Sequence, residues 1–152
     1  MKIIDVLHKD AIQTDLKATD KKGILEELVG PVAAIAQVDA EELVRVLLER
    51  ERLGSTGIGG GIGIPHGKLK RLDNLVLGFG ISRQGVDFES MDGRPTHIFF
   101  VLVTPENSTG LHLRLLARIS KILKNDILKE RLMSADDPEQ ILRLIQEEDV
   151  DF

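Results

Sequence analysis

Four histidines, no cysteine and one glycine-rich stretch limit the chemistry this chain can perform. The stretch runs Gly54-Ser-Thr-Gly-Ile-Gly-Gly-Gly-Ile-Gly-Ile-Pro-His-Gly-Lys68 and places six of the 14 glycines between positions 54 and 63. Its reactive group is the imidazole of His66. Three chemistries suit a histidine in such a setting: nucleotide binding by a glycine loop, metal ligation, and nucleophilic attack on phosphorus. The dinucleotide fingerprint is not met, because Ile62, Ile64 and His66 stand where a third glycine is needed. The nucleotide P-loop is not met either. Gly67-Lys68 is preceded at the required spacing by Ile62 and followed by Leu69 instead of Ser or Thr. Metal ligation lacks support, since His8, His66, His97 and His112 show no short helical spacing and no carboxylate is placed to join them.

Nucleophilic attack remains. Neutral imidazole attacks a phosphoryl group well, and the phosphohistidine gives it up again readily. The three outer oxygens need donors. Backbone amides of a glycine-rich turn supply them, as do a second histidine and an arginine. Candidates for the turn are Gly54, Ser55, Thr56, Gly57 and Gly67. The chain has candidates for each of these roles. Arg50 can be read as an ordinary helix charge, with Glu49 and Glu51 beside it, and His112 as a core histidine. His97 reads as structural and His8 as surface. No metal or cofactor is expected.

The elements around these residues follow from spacing. Ile3 to Leu7 suggests a short helical turn, and Ala11 to Leu16 a short edge strand. Thr19 or Asp20 caps a helix from about Lys21, which Gly30-Pro31 should kink or split. Asp39, with Glu42 three residues on, starts a second helix. Leu43, Val46, Leu47 and Leu53 form its apolar stripe, and Gly54 lies just past its end. Ile62 and Ile64 share one face of a short strand, with His66 just past the strand end. Lys68 to Asn74 reads as a polar turn. Leu75 to Ser82 is a strand with Leu75, Leu77, Phe79 and Ile81 on one face, and Gly78 and Gly80 packed closely on the other. His97 to Val103 is a continuous apolar run, as expected of a strand buried on both faces. Leu111 to Leu123 is an amphipathic helix with His112 in its first turn. Its basic face, residues 114–124, reads as solvated. Helices from about Asp126 to Met133 and from Asp137-Pro138 follow, and the acidic tail Glu147 to Phe152 is expected to fray. The pattern predicts an α/β sandwich, a sheet of four to five strands covered by helices.

Composition narrows the function classes. The 152 residues fit one domain, 1–152, and 42% hydrophobic content supports a sizeable core. A net charge of −5 and only 3% aromatic residues give no basis for nucleic-acid binding. No apolar run has the length of a signal peptide or a membrane span, so a cytoplasmic protein without membrane insertion is expected.

The stretch 54–68 resembles the active-site signature of the fructose/mannitol-type enzyme IIA domains of the bacterial phosphoenolpyruvate-dependent phosphotransferase system. It is most similar to the nitrogen-regulatory branch, which carries Gly-Ser-Thr-Gly-Ile-Gly-Asn-Gly-Ile-Ala-Ile-Pro-His-Gly-Lys. Gly60 and Gly63 depart from that signature. The resemblance extends to Arg50-Glu51 and to His112-Leu-x-x-Leu. It implies a mixed, roughly five-stranded sheet flanked by helices on both faces. It also implies that His66 is phosphorylated through Nε2 by a histidine-containing phosphocarrier protein. His112 would hold the phosphoryl group or the imidazole, and Arg50 would position or neutralise it. The downstream partner is a IIB domain, if the chain is sugar-specific, or a regulatory target protein. A purely regulatory interaction module switched by phosphorylation is the alternative of another class, and a non-phosphorylated ligand-binding module is a third.

Overall fold

The apolar run 97–103 becomes the middle of a six-stranded mixed sheet. In the computed structural model, which describes residues 1–150, a 3₁₀ turn (Ile3–Asp5) leads into β1 (Leu7–Gln13), α1 (Lys21–Ala36) and α2 (Ala40–Arg52). Three short strands follow, β2 (Gly57–Gly59), β3 (Ile62–Gly63) and β4 (His66–Leu69). Two long ones come next, β5 (Val76–Val86) and β6 (Thr96–Pro105), then α3 (Thr109–Ile122), α4 (Asp126–Ser134) and α5 (Pro138–Glu148). The strand order is β1-β5-β6-β3-β2, and β4 also pairs with β6. Among the described residues no helix is long and apolar enough to cross a membrane.

Alternation along β6 divides the core into two layers. Ile98, Phe100 and Leu102 pack with residues of α3, α4 and α5, while Phe99, Val101 and Val103 pack with α1 and α2. On β5, Leu77, Phe79 and Ile81 join the first layer. Gly78 and Gly80 face α1 so closely that an added Cβ would lie 2.7 Å from Val32 at the first and 2.7 Å from Leu28 at the second. The tight seating of α1 therefore depends on the absence of those two side chains.

Pro65 explains why β3 and β4 are separate. Both run parallel to β6, Ile62 and Gly63 opposite Ile98 and Phe99, and His66 to Leu69 opposite Leu102 to Pro105. They are two stretches of one path, interrupted where Pro65 has no N–H to offer the ladder. His66 thus lies past the end of the short strand β3, as expected, and is also the first residue of β4. The expected polar turn accordingly begins only after Leu69.

Other expectations are corrected too. Gly30-Pro31 does not split α1, which continues to Ala36. The carbonyl that Pro31 leaves without a donor is that of Glu27, four residues back, and Gln13 Nε2 donates to it at 2.8 Å. Leu53 does not join the buried stripe of α2 and is 84% exposed. The stripe runs Leu43, Leu47, Glu51 instead. That is the i, i+4, i+8 row, from which Leu53 is turned away at 100° per residue. Nor is the tail free at Asp149. This carboxylate is buried, accepts from the Ile3 N–H at 2.5 Å and pairs with Arg118. It ties the N-terminal turn to α3 and to the end of α5, so part of the supposedly solvated basic face is engaged. Asp151 and Phe152 lie outside the described residues.

Candidate functional site

His66 is half-buried at the start of β4. Its Nδ1 lies 2.7 Å from the carbonyl oxygen of Ile64. A carbonyl only accepts, so Nδ1 carries the ring proton and Nε2 keeps its lone pair. Burial is the main influence on the ring and lowers its pKa below the ordinary imidazole value; the Ile64 bond opposes this and the Arg50 charge adds to it. At neutral pH the ring is therefore uncharged, with Nε2 as its only nucleophilic atom.

His112 stands across from it. α3 begins after Ser108, which puts His112 in the first turn, facing inward. The two ring centroids are 5.2 Å apart with planes at 65°. Burial, with His66 and Lys68 nearby, holds the His112 pKa down to about 4, so this ring is neutral as well. Lys68 donates from Nζ to Thr109 Oγ1 at 2.9 Å, bridging β4 to the start of α3.

α2 supplies the third candidate. Gly67 is buried under it, and a Cβ there would meet Val46 at 2.8 Å. The missing side chain lets the end of α2 settle beside β4 and brings Arg50 to the groove that His66, Gly67, Lys68 and His112 share. The partners that the reading of Arg50 as an ordinary helix charge offered, Glu49 and Glu51, are engaged elsewhere. Glu49 pairs with Arg52 at 2.7 Å and Glu51 with Lys21 at 3.0 Å. Arg50 donates from Nη1 to the Gly54 carbonyl at 2.9 Å, and among the described residues no carboxylate neutralises it. The groove is rimmed by Leu53 and Leu113, both exposed.

The loop Gly54–Gly57 is placed differently from the rest. None of its four residues lines the groove. The Ser55 hydroxyl donates to the Phe88 carbonyl at 2.6 Å and accepts from the Gly57 N–H at 3.0 Å. Thr56 gives both its N–H, at 3.1 Å, and its hydroxyl to Glu51. These donors brace the loop. The glycines beyond them make a hairpin, with Gly60 and Gly61 at φ 67° and 81° joining β2 to β3.

Two residues of this region were given no role of their own in sequence. Glu51 is a buried carboxylate held by Thr56 and Lys21, and Lys21 Nζ also lies 4.8 Å from the Phe88 ring centroid. The signal for it was its place in the Leu43–Leu47 row. Thr104 is fully buried, with its hydroxyl 2.8 Å from His112 Nδ1. A lone hydroxyl at the end of an apolar run was the available sign. His97 is bonded through Nδ1 to the Ser82 carbonyl and His8 is exposed. Among the described residues no group of three metal-ligating side chains is gathered.

A neutral histidine with a free Nε2, a second neutral histidine beside it and two cations at the rim can exchange a group that carries negative charge. Comparison with known proteins points the same way. Residues 5–148 match the family described as phosphoenolpyruvate-dependent sugar phosphotransferase system, EIIA 2. A nitrogen regulatory protein of Bradyrhizobium diazoefficiens is 37% identical over 145 residues, 95% of each chain. The fructose-specific EIIABC component of Bacillus subtilis is 34% identical over 98% of this chain, which spans 24% of that protein. The crystal structure of nitrogen regulatory protein IIA-Ntr from Neisseria meningitidis superposes with a TM-score of 0.88 at 30% identity, covering 93% of this chain and 97% of that one. Enzyme IIA mannitol of Escherichia coli, solved in complex with phosphorylated enzyme IIB mannitol, shares the fold, with a TM-score of 0.80 at 20% identity over 93% of this chain and 99% of that one.

Proposed function

The chain belongs to the EIIA 2 family of phosphoryl carriers in the phosphoenolpyruvate-dependent sugar phosphotransferase system, and from that premise we propose that His66 is the residue that carries the phosphoryl group. The observation that supports this most is the Nδ1 bond to Ile64, which leaves Nε2 as the attacking atom. The donor is a histidine-containing phosphocarrier protein. The His66 Nε2 lone pair forms the new N–P bond in line as the donor's N–P bond breaks, and that electron pair returns to the donor's ring nitrogen. The Nδ1 proton stays on its bond to Ile64 throughout. His112 and Arg50 turn toward the transferred oxygens, and no metal or cofactor takes part. Leu53 and Leu113 form the apolar rim on which partner proteins settle. The chain acts as one cytoplasmic domain, 1–152. Gly54, Ser55, Thr56 and Gly57 shape the strand path into His66, while Gly67 admits α2.

Two destinations for the group have support. The nitrogen regulatory relative, matched along 95% of its own length, favours an output in which phosphorylation changes the charge of the groove and hence the regulatory target that docks there. The fructose-specific relative favours onward transfer to a separate IIB domain. Incubation with phosphoenolpyruvate, enzyme I and the phosphocarrier is expected to add one acid-labile phosphoryl group, read by intact mass. An unlabelled wild type overturns the proposal. Adding fructose- and mannitol-type IIB domains then separates the outputs, since a regulator keeps its label and a sugar-specific carrier loses it. His112→Ala is expected to slow acceptance about 10²-fold, the typical cost of losing one preorganised donor, in a domain that still folds but melts lower, because the buried Thr104 hydroxyl loses its acceptor. Rates equal to wild type would return His112 to a packing role.

A further inference from the structure

Thr104 is the last hydroxyl on β6, following an apolar run in which every residue from Ile98 to Val103 is buried. It is itself fully buried. Its register partner on β4 is Lys68, two residues past His66. Among the described residues its side chain makes one hydrogen bond, to Nδ1 of His112 at 2.8 Å.

The direction of that bond follows from counting protons. A threonine hydroxyl has one hydrogen, and in a buried position it must be given to an acceptor. If His112 donated from Nδ1, the Thr104 hydrogen would have no acceptor. If Thr104 donates to Nδ1, both groups are satisfied. The His112 ring is neutral, with its pKa held down to about 4 by burial and by His66 and Lys68. It therefore has one ring proton, which the Thr104 bond assigns to Nε2.

We propose that Thr104 is a positioning residue that anchors His112 in its Nε2–H tautomer, so that this ring meets the phosphoryl group on His66 as a hydrogen-bond donor. The two histidines then hold opposite tautomers set by opposite means. A backbone carbonyl keeps the proton on Nδ1 of His66 and frees Nε2 to attack. A hydroxyl occupies Nδ1 of His112 and keeps Nε2 protonated. The reverse tautomer of His112 would turn a lone pair toward the phosphoryl oxygens and repel them. Only the functional part of this inference rests on His66 being the phosphoryl carrier; the tautomer is a property of the unmodified protein.

The test uses Thr104→Val, which keeps the shape and removes the hydroxyl, and Thr104→Ser, which keeps the hydroxyl. Proton–nitrogen NMR of the histidine-labelled, unphosphorylated wild type is expected to show His112 protonated at Nε2, with Nδ1 shifted as a hydrogen-bonded acceptor. In Thr104→Val the Nδ1 resonance moves to the position of an unbonded lone pair. Acceptance from the phosphocarrier slows about tenfold, the scale seen when a partner that orients a functional histidine is lost. The KM for the carrier stays unchanged, because buried Thr104 cannot touch it. Thr104→Ser restores both signals. A wild-type His112 protonated at Nδ1 overturns the assignment, as does a Thr104→Val protein that transfers at the wild-type rate. A wild type that takes no phosphoryl group yet shows the Nε2–H tautomer defeats the carrier reading and leaves the tautomer assignment standing.

Discussion

Replacing His66 with alanine is expected to abolish phosphoryl acceptance, by about 10⁴-fold or more, while the domain stays folded. The size follows from what is removed. His112 and Arg50 have roles only once a nucleophile is present, and His112 cannot replace it, because its Nδ1 is occupied by Thr104. Losing the attacking atom removes the covalent intermediate altogether, so the effect exceeds that of losing any one supporting group. The half-buried side chain contributes little to the core, and the two main layers of packing do not include it. Intact mass after incubation with the phosphocarrier is the measurement. Equal labelling of the variant would move the site elsewhere. The pH profile of the wild type gives a second check. Attack needs the neutral ring, and burial lowers the His66 pKa below that of free imidazole. The midpoint of the decline in acceptance rate as pH falls should therefore lie below the ordinary imidazole value. A midpoint above the ordinary value would contradict the buried, neutral ring.

The second large effect concerns stability. Glu51→Ala is expected to destabilise the fold by about 3 kcal/mol, the scale for removing one member of a buried ion pair. For a domain of this size that lowers the melting temperature by roughly 10 °C. Glu51 is held by the Thr56 N–H and hydroxyl and by Lys21, whose side chain is 14% exposed. Its loss leaves the Lys21 charge against the Phe88 ring with only a long contact to Glu89, 3.9 Å away. It also frees Thr56, whose carbonyl accepts from the Ile64 N–H at 3.0 Å. Ile64 in turn orients His66. The same variant should therefore slow phosphoryl acceptance below its melting point, more than a stability loss alone accounts for. A thermal scan and a single-turnover rate on the same sample check both parts. Unchanged values in both would place Glu51 among ordinary surface charges.

Local spacing made much of the architecture readable. The alternation of Leu75, Leu77, Phe79 and Ile81 assigned a face of β5, and the unbroken apolar run of β6 assigned a strand covered twice. Asp20, Asp39 and Asp137 each cap a helix, accepting from the N–H three residues on. Such features depend on the chain's own repeat of 2 or 3.6 residues. The exceptions share a cause. Gly30-Pro31 looked like a break because the donor that relieves it, Gln13, lies 14 residues from Glu27 along the chain. Leu53 was counted in the apolar stripe and Glu51 was not, because residue type was weighed above position on the α2 row.

A glycine-rich loop that runs into a short strand and presents His66 could be read from residue order alone, because a positive φ and a missing N–H are properties of Gly and Pro wherever they stand. Tertiary packing decided which groups stand beside that histidine. Arg50 is a local charge until Gly67 lets α2 settle on β4 and Lys21 takes Glu51 away from it. His112 is an ordinary buried histidine until β6 brings Thr104 to its Nδ1 and β4 brings His66 within 5.2 Å. Protonation state and tautomer belong to that second category. They depend on the distance between groups far apart in the chain, and only the folded core sets those distances.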